Sequence, residues 1–573
     1  MGRQAKVFYE FGPFRVDAQE RLLWRDQEAV PLTPKLFDIL LVLVQSSGRV
    51  LSKEEFQGLV WPDTAVEEGS LTRNISSLRK ALGESRPERQ YIKTVPWRGY
   101  RFVAEVKEIR DQAAIQPIDS IAVLPFVNAG CDPNAEYLSD GITESLINSL
   151  SKLSHLKVIS RTSVFRYKGI QIDAHAIGQE LRVRAVLTGR ILPHSEALVI
   201  SAELIDAEDC SQIWGERYRR NPEDIFVLQE AIATEITQKL RCKLTGAEQE
   251  RLAERNTNDP EAYQLYLRGR YHFHRLTPDG VEKGAEYFRR AIERDRNYAL
   301  AYVGLADCYN YSARSAEAME AAAVALELDD HLADARASLA FHRFVYQWDF
   351  LAAEREFQRA LELNPNHAGA HHWYAIYLAN MARHDEAVLE ARRAEELDPV
   401  SPLMCTTPGL VFYCAHAYDQ ALQEFQKVVD LDPNFMVVRS LLGHVYEHKE
   451  MYEEATTMYC SLIDVVGSET VTGLSLKAAI GRIAAKRGQK NQAREIATQL
   501  SRSEHAGILA YVIAAIHAAL GENDRALELL NRAYDDRSFS LVSLKVDPNF
   551  DPIRKDERFA TLLDLIGLSK SVQ

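Results

Sequence analysis

No stretch of the 573-residue chain approaches the roughly 18 consecutive apolar residues that a membrane helix needs. The opening Met1-Gly2-Arg3-Gln4-Ala5-Lys6 is followed by no apolar core of the kind a secretory signal carries. Cysteine is scarce: seven residues, at 131, 210, 242, 308, 405, 414 and 460, are scattered, odd in number and never arranged as CxxC. That argues against a disulfide framework or a thiolate metal site and for a reducing, cytoplasmic setting. Glycine-rich phosphate loops are missing, as are GxSxG, HExxH and any Cys/His or paired-acid arrangement that would mark a catalytic centre. The expectation is a non-enzyme with no cofactor and no metal. Positive charge is also lacking overall, the formal net charge being −14. A general nucleic-acid coat is thereby excluded, and any nucleic-acid contact has to be local.

What is present is distributed over more than one core. The length implies three or four domains, and 46% hydrophobic with 26% charged residues is ordinary for soluble folded protein. The most informative stretch runs from Leu71 to Phe102. Leu71, Ile75, Leu78 and Leu82 fall on one face of a helix, while Arg73, Ser76, Ser77 and Lys80 face the other way, with Thr72 and Arg79 on the flanks. Tyr91 to Phe102 alternates like a hairpin with Arg98-Gly99 at its turn. Between Arg73 and Arg101 there are eight Lys/Arg against two acids, an excess of cations inside an acidic protein. A short-polar helix face bordered by arginines suits a major groove and its flanking phosphates.

Upstream, Val7 to Val30 alternates and turns like a small sheet. Thr33 followed by Pro34 caps and starts a helix carrying Leu36, Phe37, Leu40, Leu41 and Leu43. Ser52-Lys53-Glu54-Glu55 is a capping box for a second helix that stops before Pro62. Strands, three helices and a hairpin, over residues 1–106, make an α+β winged helix-turn-helix. The motifs Leu32-Thr33-Pro34-Lys35-Leu36-Phe37, Gly48-Arg49-Val50-Leu51-Ser52, Ile75-Ser76-Ser77-Leu78-Arg79-Lys80 and Arg98-Gly99-Tyr100-Arg101-Phe102 resemble the OmpR/PhoB-type effector domain. The resemblance implies that the third helix enters the major groove and the hairpin tip reaches the minor groove. Arg73, Ser76 and Ser77 are then base-edge candidates, and Thr72, Arg79, Lys80, Arg98 and Arg101 phosphate candidates. No phosphate-accepting receiver precedes this domain in the chain, so a regulatory input is expected from the C-terminal side.

A polar linker, 107–117, leads to an α/β segment, 118–245. The continuous apolar run Ile121-Ala122-Val123-Leu124 suits a buried strand, and alternating helices and strands suggest a sheet with a parallel start and an antiparallel finish. With Leu138-Ser139-Asp140-Gly141, Val158-Ile159-Ser160-Arg161-Thr162-Ser163 and Leu187-Thr188-Gly189-Arg190, the segment resembles the TolB N-terminal-like domain. Asp140, Ser160, Arg161 and Thr162 lie at expected strand ends, where α/β sheets often bind ligands, but the same residues also suit turns and an ion pair.

Ala353, Ala387, Ala421 and Ala455 are each 34 residues apart, and Gly284, Ala318, Ala493 and Ala526 extend the column. Helix ends recur at Asn364-Pro365, Asp398-Pro399 and Asp432-Pro433. This pattern resembles tetratricopeptide repeats, about eight over 260–540, forming an all-α solenoid with a polar capping segment at 541–573. The fold class is thus multidomain. The combination resembles HilA-like and CadC-type regulators without a membrane helix. It implies a cytoplasmic bacterial transcription regulator that binds double-stranded DNA, with the repeat groove taking a protein partner such as RNA polymerase or a second copy. Two other readings stay open: a repeat scaffold whose winged helix does not bind DNA, and a small-molecule sensor built on the middle domain. His444 and His448, four apart on a helix, have metal-ligand spacing but no third ligand nearby.

Overall fold

The computed structural model describes residues 7–110, 118–240, 246 and 257–569, except 19–20, 26–27, 62–67, 85–90, 131–135, 171–172, 195–196, 221–224, 276 and 313. The chain forms two compact units, Met1–Pro117 and Ile118–Gln573.

In the first unit, strands β1 (Val7–Phe11), β2 (Phe14–Asp17), β3 (Leu22–Arg25) and β4 (Glu28–Ala29) form an antiparallel meander. Three helices follow: α1 (Pro34–Gln45), α2 (Lys53–Val60) and α3 (Glu68–Ala81). Each of the first two starts where side-chain chemistry can satisfy its free N–H groups. The Leu36 N–H donates to Thr33 Oγ1, the Glu55 N–H donates to Ser52 Oγ at 3.1 Å, and the Ser52 N–H donates to Glu55 at 2.8 Å. Strand β5 (Val50–Leu51) joins the hairpin β6 (Ile92–Val95) and β7 (Gly99–Phe102) in a three-stranded sheet. Phe11, Phe14, Phe37, Leu40, Phe56, Ile75, Leu78 and Phe102 meet in one core. Two expectations are corrected. The hairpin turns at Pro96-Trp97, with the Arg98 N–H donating to Val95 O, while Gly99 is the first residue of β7. Also, Lys107–Arg110 is not linker but β8, antiparallel to β1 at the sheet edge. Its charged residues hide the alternation that marks a strand.

The second unit opens with a mixed sheet. Strand β9 (Ser120–Val123) runs parallel to β11 (Lys157–Val158) and to β12 (Ala185–His194), β10 (Val127–Asn128) adds to β12, and β13 (Ala197–Asp206) and β14 (Gln212–Arg220) follow antiparallel. Parallel start and antiparallel finish are therefore both present. Helices α4 (Glu136–Ser151), α5 (Arg161–Phe165), α6 (Ala174–Leu181) and α7 (Ile225–Lys239) complete it.

From residue 260 the described chain is a series of helix pairs: α8 (Pro260–Phe273) with α9 (Pro278–Arg294), α10 (Ala299–Tyr311) with α11 (Ser315–Leu328), and α12 (Ala333–His342) with α13 (Phe350–Leu363). Next come α14 (Ala368–Asn380) with α15 (His384–Leu397), and α16 (Pro402–Cys414) with α17 (Tyr418–Leu431). Then α18 (Met436–His448) pairs with α19 (Tyr452–Val466), α20 (Val471–Lys486) with α21 (Lys490–Ser501), and α22 (Ala510–Leu520) with α23 (Asn523–Asp535). The Ala353, Ala387, Ala421 and Ala455 column is fully buried, because only a small side chain lets paired helices approach. A Cβ on Gly409 or Gly443 would lie 2.4 or 2.5 Å from the ring of Phe425 or Tyr459, so these positions hold the large ring of the second helix against the first. Five residues before each alanine of the column, Trp348, Ala382, His416 and Glu450 carry positive φ where the pair turns, and Gly488 and Gly521 continue the series. Successive first helices touch one another more than successive second helices do, which puts the first helices on the inner face.

Both turn edges of the array are covered within this unit. Along the edge where second helices pass to the next pair, Asn366 donates to Ser151 O, Leu153 O and Leu156 O at 2.8–3.2 Å, and the Ser160 N–H donates to Leu397 O at 2.8 Å. On the opposite edge, Lys545 donates to Met381 O, and Arg537 lies over Trp348. The terminal segment, expected to be a polar cap, instead buries Phe550, Ile553, Phe559, Leu562 and Ile566 around two tight turns and α24 (Glu557–Ile566). It shares a core with Phe344, Phe350 and Leu378.

Charge is buried inside the array. Glu447 on α18 accepts from Arg482 at 2.9 and 3.1 Å and from Lys486 at 2.9 Å. Burial pushes its carboxyl up, but the two cations hold it far below the carboxylate range. Removing it would strand the Arg482 charge in an apolar interior, so Glu447→Ala should cost about 3–5 kcal/mol, whereas Glu453→Ala, at an exposed pair, should cost little. Thermal denaturation of the two variants checks this. Burial also depresses His274, His372 and His444 to about 4 and His448 to about 3. These histidines charge in the unfolded chain near pH 6.5 but not in the folded one, so their contribution is complete above that pH and is lost as pH falls toward 4. Asp307, pushed up to about 6 by burial, works in the opposite sense, as do Asp140, Asp398 and His367, but Glu144, Asp334 and Glu447, which stay low against their burial, act with the histidines. The melting temperature of this unit should therefore fall steeply between pH 6.5 and 4, and His444→Gln should flatten part of the fall.

Candidate nucleic-acid interface

Helix α3 carries its two faces as the spacing predicts. Leu71, Ile75, Leu78 and Leu82 are at most 7% exposed, while Thr72, Arg73, Ser76, Ser77 and Lys80 are exposed. Arg73 Nε donates back to Gly69 O at 3.3 Å, so the side chain runs along the helix toward its first turn while remaining exposed. Thr72 Oγ1 accepts from the Tyr100 hydroxyl at 3.4 Å, tying the start of the exposed face to β7.

Arg79 behaves differently from its neighbours. It is half-buried and donates to Ile92 O at 3.0 Å and to Thr94 Oγ1 at 2.9 Å, both on β6. Glu84, at the end of the same helix, accepts from the Tyr91 and Ile92 N–H groups, the latter at 2.9 Å, and lies 3.6 Å from Arg79. Helix and hairpin are thus stitched by one ion pair that also satisfies the first backbone groups of the hairpin. Sequence reasoning placed Arg79 among the phosphate contacts; the structure gives it a positioning task. Glu84 went unnoticed, because its partners lie across a polar break.

On the hairpin, Lys93 and Arg101 are directly opposite each other and both exposed. Two cations at facing positions repel, and no acidic side chain among the described residues compensates them. Such a pair favours an anion. Arg98 is exposed beside the turn. Trp97, which sequence reasoning passed over, is fully exposed at the apex with φ of 63°. Gly99 is required for a different reason: a Cβ there would lie 2.0 Å from Leu51 O, where β5 crosses the base of the hairpin. Arg86 and Arg89, two of the eight cations counted in sequence, fall outside the described residues.

The polar strand ends of the middle segment do not form an open site. Asp140 pairs with Lys168, and Arg161 approaches Glu144 at 3.3 Å and stacks over Phe165. Asp398 of the array accepts from Ser163, and Val400 follows in the same contact. Glu144 lies among Arg161, Arg270 at 2.6 Å and His274 at 3.0 Å. Burial raises its carboxyl, yet these partners hold it well below the usual range. This chemistry joins α4 and α5 to the first repeat. A Cβ on Gly141 would lie 2.7 Å from Leu267, which shows how closely α4 and α8 pack. His444 is engaged with the Tyr459 hydroxyl, and His448 stacks on Tyr418. His371, His372, Tyr374 and Tyr377 pack in the interior of the array.

Comparison with known proteins agrees with this anatomy. Residues 26–102 match the family model for the C-terminal domain of transcriptional regulatory proteins. Residues 117–235 match the second domain of HilA/YgeH-like transcriptional regulators, and residues 356–388 match a tetratricopeptide repeat. Over 403 residues the chain is 24% identical to the transcriptional regulator HilA of Salmonella typhi, covering 68% of this chain and 70% of that one. It is 41% identical over 186 residues to a putative adenylate cyclase 3 of Rhizobium meliloti, of which it spans only 32%. The transcriptional activator CadC of Escherichia coli is 39% identical over 83 residues, 14% of this chain and 16% of that one. The solved DNA-binding domain of E. coli CadC matches with 33% identity and a TM-score of 0.17, over 19% of this chain and all of that one.

The exposed cations and the half-buried Arg79 make separable predictions. Lys80→Ala and Arg98→Ala should leave stability within about 0.5 kcal/mol while each lowers the slope of log affinity against log salt on duplex DNA by about 1. Arg79→Ala should lower the melting temperature of the Met1–Pro117 unit, having removed charge-assisted hydrogen bonds worth about 1.5–3 kcal/mol. Salt titration and thermal denaturation of the three variants separate the roles.

Proposed function

We propose that this chain, whose residues 26–102 are a winged-helix DNA-binding domain of OmpR/PhoB type, is a sequence-specific transcriptional regulator acting in the cytoplasm. One arrangement carries the reading: an exposed Arg73/Ser76/Ser77/Lys80 face on α3 beside the uncompensated Lys93–Arg101 pair of the hairpin. In this reading α3 lies in the major groove. Arg73, Ser76 and Ser77 meet base edges, while Thr72, Lys80, Arg98 and Arg101 meet phosphates. Arg79 supports them by fixing the angle between helix and hairpin. Serine hydroxyls at the centre of the reading face accept or donate to either kind of base edge, so each site discriminates modestly. Binding to repeated sites through several copies compensates.

The regulator has no catalytic step of its own. The repeat array, acidic and built of first helices along its inner face, takes a protein partner with a basic segment. RNA polymerase or a second copy of the chain are the candidates. Small-molecule sensing at Asp140 and Ser160–Thr162 is disfavoured, since Asp140 pairs with Lys168, Arg161 with Glu144, and Asp398 of the array lies against Ser160 and Thr162.

Selection of random duplex DNA with the full-length protein tests the proposal. The expected result is an enriched motif, arranged as direct repeats about one helical turn apart, whose binding is weakened by Arg73→Ala together with Arg98→Ala. No enrichment and no binding at low salt would leave the chain a protein-interaction scaffold.

A further inference from the structure

Trp97 is the most exposed large apolar side chain among the described residues, ahead of Leu389. It stands at the hairpin apex between Pro96 and Arg98, with Lys93 and Arg101 on the strands below. The turn has proline at its second position, positive φ at its third and the Arg98 N–H closing on Val95 O at 3.1 Å, which is the pattern of a type II turn. That third position favours glycine or asparagine, because a Cβ there meets the backbone. A tryptophan at this place works against the local conformational preference and gains no burial in return. Strain retained without a packing reason marks a functional position. The cations around it match a polyanion and carry the indole to one, and the flat apolar ring has a natural counterpart in the faces of stacked bases.

We propose that Trp97 is a wedge that deforms duplex DNA: the indole enters the minor groove and inserts against a flexible pyrimidine–purine step, while Arg98, Lys93 and Arg101 hold the flanking phosphates. The inference rests on the DNA-binding reading above and adds a source of specificity to it. With short serines on the reading helix, discrimination shifts toward how easily the sequence under the hairpin unstacks and bends. Pyrimidine–purine steps yield readily and A-tracts resist. Insertion of an apolar side chain at such a step bends the duplex toward the major groove.

The test compares full-length protein with Trp97→Ala, Trp97→Phe and Trp97→Gly on two duplexes of about 30 base pairs. One carries a single T-A step whose adenine is 2-aminopurine; the other is an A-tract without such a step. The wild-type protein should raise 2-aminopurine fluorescence on binding and shorten the end-to-end distance read by energy transfer. Trp97→Phe should retain part of both signals. Trp97→Ala and Trp97→Gly should lose them and about tenfold in affinity for the T-A duplex, with A-tract affinity and the salt slope unchanged because no cation is removed. Trp97→Gly guards against misfolding, since it relieves the turn and should melt no lower than wild type. Wild-type binding without unstacking, or glycine and alanine variants that unstack as wild type does, would overturn the wedge and leave the regulator standing. Failure of the wild-type protein to bind either duplex at low salt would overturn both.

Discussion

A winged helix has to present two protruding elements, a helix and a hairpin, at one fixed angle, and in this chain the Glu84–Arg79 pair imposes that angle. Glu84 closes the end of α3 and receives the first two N–H groups of the hairpin, while Arg79 spans from α3 to Ile92 O and Thr94 on β6. Within the pair, Arg79 Nε and Glu84 Oε2 face each other at 3.6 Å, while Arg79 Nη2 and Glu84 Oε1 hydrogen-bond to the hairpin. Everything that reaches outward depends on it. Thr72, Arg73, Ser76, Ser77 and Lys80 are positioned by the roll of α3, Arg98 and Trp97 by the pitch of the hairpin. A loosened clamp would leave the same residues exposed but no longer held on one surface.

The second unit solves a related problem with neutral groups. The end of α4 and the loop before β11 leave backbone carbonyls at Ser151, Leu153 and Leu156 without a helical partner. The Asn366 amide supplies all three, and its oxygen in turn receives Arg393. An asparagine at a repeat turn is thus a keystone between the α/β sheet and the array. Together with the Glu144–Arg270 pair and the apolar continuity of α4 with α8, it merges segments that sequence reasoning treats as separate domains into one body. The array and the sheet are thus one continuous unit and not a string of separate modules.

Local signals were legible in the sequence. The Thr33 and Ser52 caps, the buried stripe of α3 and the 34-residue alanine column each depend on residues within a turn or two, or on exact repetition, and the structure carries all of them. What was illegible depends on distant chain. Arg79 reads as a free basic residue until Ile92 and Thr94 return to it. Gly99 reads as a turn residue, although it is small because Leu51 O crosses it. Ser160, Arg161 and Thr162 read as a ligand site because polar residues at strand ends so often are one, and only the fold reveals Asp398 and Glu144 beside them. The terminal segment looked polar because Asp551, Arg554, Lys555 and Asp556 dominate its surface, while Phe550, Ile553 and Phe559 are spaced by turns that break helical periodicity.

The overall charge then fits the local one. At −14 the protein as a whole is repelled by a polyanion, so long-range attraction cannot gather it on random DNA. Only a surface that concentrates cations at short range can dock, because salt screens charges beyond about 8 Å at physiological ionic strength. Arg73, Lys80, Lys93, Arg98 and Arg101 lie on that surface without acidic partners among the described residues, whereas cations of the array such as Arg482, Arg392 and Arg383 are matched by carboxylates. The difference between an acidic whole and a cationic surface thus lowers non-specific affinity. Selectivity comes from that difference as much as from any base contact, because discrimination is measured against the sites the protein declines to occupy.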